Sequence, residues 1–154
     1  MLFRSICSAT SEFLAAREFE SIEKAATAAI IFWDELGKNI KEWAQVRDLK
    51  VTAGEIRREF VHSHGVLLQA FGRVGAALSA SEKSTYQDLG KLKKINWSRS
   101  NARDWEGRVM IGGRLSKATN SVVLASALIK KNIGLDLSPD ERKADAAFSK
   151  SRSK

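Results

Sequence analysis

The sequence is poor in the residues that build cross-linked or metal-stabilised proteins. Its 154 residues include one cysteine, Cys7, two histidines and one proline. A single cysteine excludes an internal disulfide and a cysteine-rich zinc site, and one proline argues against a sandwich or barrel with many turns. No apolar run reaches the roughly 18 residues of a membrane span, and the N-terminus is a poor secretory signal. We therefore expect a cytoplasmic protein with no membrane partner and no cofactor.

Apolar residues recur at spacings of three and four along the chain, which predicts an all-α fold. With 44% hydrophobic and 29% charged residues, the composition is that of one globular domain. We predict a single-domain bundle of six or seven helices over residues 1–148 and a basic flexible tail over 149–154. The predicted helices span 2–17, 21–36, 53–78, a stretch from Ser81, a short turn at Trp105, a stretch from Ser116 or Asn120 to Gly134, and 138–148.

Local signals refine three of these helices. Thr52 and Glu55 have the spacing of a capping box, which predicts the start of the 53–78 helix. Glycines inside that helix, among them Gly72 and Gly75, predict either close helix packing or a kink. Cys7 falls on the apolar stripe of the first helix, so we expect a buried thiol with no reactive role.

The positive charge is concentrated in one segment. The formal net charge is +8, of which residues 1–90 contribute −1, residues 91–117 contribute +6 and residues 118–154 contribute +3. This distribution favours a polyanionic partner, although a solvated basic surface is the ordinary alternative. Arginines among serines and asparagines suit phosphate oxygens, because the guanidinium group binds them with two parallel hydrogen bonds. The predicted DNA contacts are Arg99, Arg103, Arg108, Arg114 and Lys117, supported by Asn101 and Ser98, with weaker attraction from Lys91, Lys93 and Lys94.

The sequence shows no catalytic constellation. His62 and His64 are two apart, so on a helix they point to different faces and do not chelate one metal. The Gly112-Gly113-Arg114 run lacks the lysine and hydroxyl of a phosphate-binding loop, yet its amides and guanidinium suit an anion, the alternative being a flexible bend. Trp97 and Trp105 flank the basic stretch, and a core position is favoured over base stacking. We predict no catalytic or metal-binding residue.

Four runs of the sequence carry a family resemblance: EKAATAAIIFWDELGKNI, GEIRREFVHSHGVLLQAFGRVG, INWSRSNARDWEGRVMIGGRLSKATNSVVL and GLDLSPDE. They are similar to the C-terminal half of the DndB family, the DNA sulfur modification proteins with a DGQHR domain. The resemblance covers residues 2–148. The Asp-Gly-Gln-His-Arg signature of the family is absent here, so the chain is expected to be a truncated copy or an isolated C-terminal part.

The resemblance implies a DNA-binding regulator that represses the genes of its own modification system and does not transfer sulfur itself. We therefore expect duplex DNA as the partner and no enzymatic activity. The family pattern leaves open whether the DNA contacts lie in this part or in the DGQHR part, and the +6 segment favours some of them here. The alternative is an interaction module in which the 21–36 and 53–78 helices pair with a second copy or with the DGQHR part. A weaker third possibility is an enzyme acting on nucleotides.

Overall fold

The fold is all-α, as predicted, with one very small hairpin. The computed structural model describes residues 2–153, with side chains from residue 4 onward, so Met1 and Lys154 lie outside the described residues. Helices account for 67% of the described residues. The elements in order are α1 (Leu2–Leu14), α2 (Ile22–Lys38), α3 (Lys41–Arg47), α4 (Ala53–Glu59), α5 (Gly65–Ala80), a 3₁₀ helix (Tyr86–Lys94), α6 (Ala102–Trp105), β1 (Met110–Ile111), β2 (Arg114–Leu115), α7 (Thr119–Ile133) and α8 (Pro139–Arg152).

The local end signals in the sequence mark real helix ends. The Thr52 hydroxyl accepts the Glu55 N–H at 3.2 Å, and the Glu55 carboxylate accepts the Thr52 N–H at 2.7 Å, which completes the predicted capping box of α4. At the end of α7, Gly134 has the left-handed φ of 85° that glycine adopts without strain. These starts and stops depend on near neighbours in sequence, so the pattern alone locates them.

The predicted 53–78 helix is wrong as one element, because the chain leaves the helix between α4 and α5. Phe60 is extended, with φ −124° and ψ 150°. The Val61 N–H donates to the Trp97 carbonyl at 3.0 Å, and the Arg99 N–H donates to the Glu59 carbonyl at 2.8 Å. This pairing with a distant stretch replaces the helical hydrogen bonds. It also fixes residues 97–99 against the end of α4.

Helix α5 runs through the middle of the core, between α1 and α7. A Cβ atom on Gly72 would lie 2.4 Å from the Ala9 carbonyl oxygen of α1, so only glycine permits this approach. The predicted close packing of the glycine-bearing helix is therefore confirmed. Helix α1 turns Ala9 and Phe13 into the core and leaves Cys7 exposed, which corrects the predicted buried thiol.

A buried ion pair joins the last two helices. Lys130 of α7 and Glu141 of α8 are both buried, and their Nζ and Oε2 atoms are 2.8 Å apart. The Ser126 hydroxyl donates to the other Glu141 oxygen at 2.6 Å. Helix α8 continues to Arg152 rather than ending at Phe148, so residues 149–152 belong to it and not to a separate tail.

Candidate nucleic-acid interface

Arg99 joins three segments of the chain through backbone carbonyls. Its guanidinium donates to the Gly113 carbonyl of the hairpin at 3.0 Å and to the Arg58 carbonyl of α4 at 3.3 Å. Both acceptors are uncharged, so the positive charge of Arg99 is oriented and is not neutralised. The predicted contact Arg99 therefore lies where α4, the 97–99 stretch and the hairpin meet.

The hairpin and the segment that follows it present two more predicted contacts. Ile111 pairs with Arg114 across the two-residue strands, and the turn residues Gly112 and Gly113 have φ values of 56° and 74°. Arg114 and Lys117 are both exposed. Of the two interpretations left open for the turn, an anion site and a bend, free amides for an anion do not hold, because the Glu106 carboxylate accepts hydrogen bonds from both amides. The hairpin thus carries its cations on side chains and uses its amides internally.

Three further cations join this site from the electrostatically balanced part of the sequence. Arg57 and Arg58 come from α4, and Arg4 comes from α1. Arg4, Arg57 and Lys117 line one cleft, and the Arg58 carbonyl contacts Arg99. A count of charges along the sequence hides them, since acidic residues elsewhere in 1–90 cancel their contribution. The adjacent arginines Arg57 and Arg58 are a local sign of positive charge in this part of the sequence, and the sequence analysis missed it.

We call the assembled set of cations the basic surface. Among residues 4–153, none of its members has a carboxylate within the 4.0 Å of an ion pair. Burial lowers the pKa of the neighbouring His64, and the positive charges of Arg57 and Arg99 lower it as well. The imidazole thus reports a positive local potential. The members are Arg4, Arg57, Arg58, Arg99, Arg114 and Lys117.

Arg108 is not part of this surface, which corrects its prediction as a DNA contact. Its side chain is buried, with 6% of the residue exposed. The guanidinium donates to the Leu124 carbonyl at 2.9 Å and lies 3.4 Å from the Asp145 carboxylate. It also stacks 4.3 Å from the centre of the Phe148 ring. Its contacts are made to the Asp104 carbonyl of α6 and to residues of α7 and α8, so this buried group holds the fold together and does not reach a ligand.

The remaining predicted contacts lie apart from the basic surface or are used locally. Arg103 is exposed, and its carbonyl accepts a hydrogen bond from Arg152 at the end of α8. The Asn101 side-chain amide donates to the Asn96 carbonyl at 3.0 Å and to the Asp104 carboxylate at 2.8 Å, so both its hydrogens are engaged. The Ser98 hydroxyl pairs with the Ser100 hydroxyl at 2.8 Å. Asn101 and Ser98 therefore shape the turn into α6.

Lys91 and the two tryptophans of the basic segment serve the fold. Lys91 is 2.8 Å from the Asp88 carboxylate and donates to the Ile133 carbonyl at 2.9 Å, whereas Lys93 and Lys94 are exposed. Trp97 and Trp105 are buried and stacked, with their ring centres 5.5 Å apart. Their predicted core position is confirmed.

Comparison with known proteins decides the family. A family model described as "DndB: DNA-sulfur modification-associated" matches residues 1–136. The chain belongs to this family. No curated protein and no solved structure matches it. The matched span of this DndB-family chain includes the whole basic surface, from Arg4 to Lys117, and ends before α8.

No helix in the described part of the DndB-family chain is long and apolar enough to cross a membrane. The same residues contain no cluster of three His, Cys, Asp or Glu side chains placed to hold a metal. The two histidines differ in their surroundings. His64 is half-buried, with its Nε2 atom 2.8 Å from the Arg57 carbonyl. His62 is fully buried, and the Trp43 indole N–H donates to its Nδ1 atom at 3.0 Å.

The buried His62 makes the DndB-family chain sensitive to acid. Burial, with a smaller contribution from the charge of His64, lowers the pKa of His62 from 6.5 to about 3. The Glu42 carboxylate, 3.3 Å from the His62 Nε2 atom, is the one acidic group that faces the ring among the described residues. Below pH 6.5 the His62 imidazole is therefore protonated in the unfolded chain, while it stays neutral in the native protein. The free energy of unfolding should fall by about 1.4 kcal/mol for each pH unit below this value, until the native pKa is reached.

Urea unfolding between pH 6.5 and 5 measures this effect before most carboxylates titrate. The slope attributed to His62 should disappear in His62→Gln. His64 contributes in the same direction, because its pKa is also lowered, and that part should persist in the variant. An unfolding free energy independent of pH in this window would contradict the assignment.

Proposed function

We propose that this DndB-family protein binds duplex DNA through the basic surface and acts, without catalysis, as a cytoplasmic repressor of the sulfur-modification genes. The observation that supports the proposal is a set of six cations without an ion-pair partner among the described residues. Arg4, Arg57 and Lys117 line one cleft, and Arg99 contacts carbonyls of α4 and of the hairpin, the two elements that carry Arg58 and Arg114. Arginines and lysines held in this way suit a phosphodiester backbone, where binding releases condensed counterions. The family's link to DNA sulfur modification supplies the context.

Backbone contacts of this kind position a protein on DNA without reading its sequence. Five of the six cations are arginines, and the guanidinium group binds a phosphate through two hydrogen bonds. Arg99 is pre-oriented by two carbonyls, which reduces the conformational entropy lost on binding. The basic surface therefore supports binding to duplex DNA of any sequence. Repression additionally requires recognition of the promoter.

A mobility-shift comparison of two charge-matched variants tests the proposal. Arg58→Ala/Arg114→Ala removes two exposed cations of the basic surface, and Lys143→Ala/Lys150→Ala removes two exposed cations of α8. At about 50 mM salt, the first variant should bind a duplex at least about tenfold more weakly, while the second stays near wild type. Equal weakening in both variants would show that the location of the charge is irrelevant and would contradict the proposal.

Repression needs its own readout. A reporter placed behind the promoter of the sulfur-modification genes should be repressed by the wild-type chain and by Lys143→Ala/Lys150→Ala. Repression should be lost with Arg58→Ala/Arg114→Ala. Persistent repression by a variant that no longer shifts DNA would separate the regulatory role from the basic surface.

A second candidate, a protein-interaction module, is favoured by one observation on α2. Ile22 and Ile30 lie eight residues apart on this helix and are 85% and 62% exposed. The glycine-bearing face of α5, by contrast, is already covered within the chain, as Gly75 packs against Phe32. Light scattering of the wild type and Ile22→Lys/Ile30→Lys tests self-association. A dimer that is lost in this variant, together with no DNA binding by the wild type, would favour the second candidate.

A further inference from the structure

One cleft of the molecule is built entirely without acidic residues. It has a volume of about 420 Å³ and lies between α1, α4, the start of α5 and the segment that joins β2 to α7. None of its twelve lining residues is Asp or Glu. Two other clefts on the described surface include carboxylates, such as Glu18 in one and Asp48 in the other. The absence of acidic residues therefore distinguishes this cleft from its neighbours.

Three cations from three different elements line the cleft. Arg4 comes from α1, Arg57 from α4 and Lys117 from the segment after β2. The Arg57 guanidinium donates to the Ser63 carbonyl at 2.8 Å, which fixes its position without neutralising its charge. Like charges that line one cleft repel one another, and the repulsion is relieved when an anion binds between them.

The polar groups around these cations fit a phosphoryl group. Side chains of Ser8, Gln69 and Ser116 line the same walls and supply hydroxyl and amide groups. The start of α5 is also on the wall, and its N-cap residue, His64, makes no side-chain capping hydrogen bond. Leu115 and Val122 form an apolar part of the cleft, against which an organic group attached to the phosphate can pack.

We propose that this cleft is a binding site for a single phosphoryl group, held by Arg4, Arg57 and Lys117. Two sources share this chemistry: a phosphate of a DNA strand and the phosphate of a nucleotide-sized small molecule. The site rests on the proposed function only for the DNA source. Arg58 and Arg114 belong to the basic surface but do not line the cleft. The two proposals are therefore tested with different variants.

His64 lines the cleft and provides the readout. The pKa of His64 is lowered by burial and by the charges of Arg57 and Arg99, while its contact with the Arg57 carbonyl raises it. A phosphate bound among Arg4, Arg57 and Lys117 offsets those positive charges and favours the protonated ring. The pKa of His64 should therefore rise by about one unit on saturation. His62 does not line the cleft and serves as an internal reference in the same spectra.

The experiment is an NMR titration of both histidines at constant ionic strength, with sodium phosphate, a nucleoside monophosphate and sodium chloride as additives. Phosphate and the nucleotide should shift His64 saturably, and chloride should not. In Arg4→Gln/Lys117→Gln the phosphate affinity should fall at least about tenfold, whereas Lys41→Gln/Lys143→Gln, which removes the same charge elsewhere, should bind as the wild type does. No saturable shift of His64, or an equal shift in both variants, would overturn the proposal.

Duplex binding distinguishes the two sources. If a DNA phosphate fills the cleft, Arg4→Gln/Lys117→Gln should bind duplex more weakly than its control, and phosphate should compete with the duplex at constant ionic strength. If a small molecule fills it, the nucleotide should bind more tightly than inorganic phosphate and leave duplex affinity unchanged. Both results support a phosphoryl site. If Arg58→Ala/Arg114→Ala does not weaken DNA binding, the proposed function is contradicted, but the His64 titration with phosphate is unaffected. The two proposals can therefore fail separately.

Discussion

Replacing Glu141 by alanine should lower the free energy of unfolding by about 3–5 kcal/mol, the usual cost of removing one partner of a buried ion pair. Glu141 is 0% exposed, and its carboxylate accepts hydrogen bonds from Lys130 at 2.8 Å, Ser126 at 2.6 Å and the Ser138 N–H at 2.9 Å. Burial raises the pKa of Glu141, but these hydrogen bonds outweigh burial and the pKa lies below its usual value. Without the carboxylate, the Lys130 ammonium remains buried without a counter-charge.

Urea unfolding followed by tryptophan fluorescence measures this loss. In Lys130→Met/Glu141→Leu both charges are absent, so the double variant should be more stable than Glu141→Ala. Glu20→Ala removes the partner of Lys24 in an exposed pair and should change stability little. A Glu141→Ala protein as stable as Glu20→Ala would contradict the buried network that joins α7 to α8.

Arg108→Ala should lower the free energy of unfolding by about 3 kcal/mol, even though the residue lies in the most basic segment of the sequence. The change leaves the Leu124 carbonyl and the Asp145 carboxylate without this donor and removes the stack on Phe148. Once folded, the variant should bind DNA as the wild type does, because the guanidinium does not reach the basic surface.

Arg114→Ala is the matched comparison for Arg108→Ala, since Arg114 is an exposed arginine of the same segment. It should leave the unfolding transition in place and weaken DNA binding. Circular dichroism and a mobility shift on the same preparations measure both properties. The account would be wrong if folded Arg108→Ala lost as much DNA affinity as Arg114→Ala.

Helix ends that depend on neighbouring residues were predictable. The Thr52–Glu55 capping box and the Gly134 stop act within four residues, and the structure confirms both. The break after α4 was not predictable, since it depends on Val61 and Arg99 pairing with partners far away in the chain. A pattern with a period of 3.6 residues contains no information about such distant partners.

The site shows the same division between local and distant causes. The sequence predicts DNA contacts at Arg99, Arg114 and Lys117, which are exposed or half-exposed in the structure. It assigned Arg108 the same role, because nothing in the neighbouring residues shows that α7 and α8 enclose that side chain. It missed the α1 and α4 cations, such as Arg57, because proximity to the hairpin arises only from packing.

The salt dependence of duplex affinity tests the central claim that the basic surface meets a phosphodiester backbone. With about five phosphates neutralised, a plot of log affinity against log salt should have a slope of about −4 to −5. The slope should become shallower by about 1.8 in Arg58→Ala/Arg114→Ala and stay unchanged in Lys143→Ala/Lys150→Ala. A slope near zero, or the same slope in wild type and Arg58→Ala/Arg114→Ala, would contradict the account.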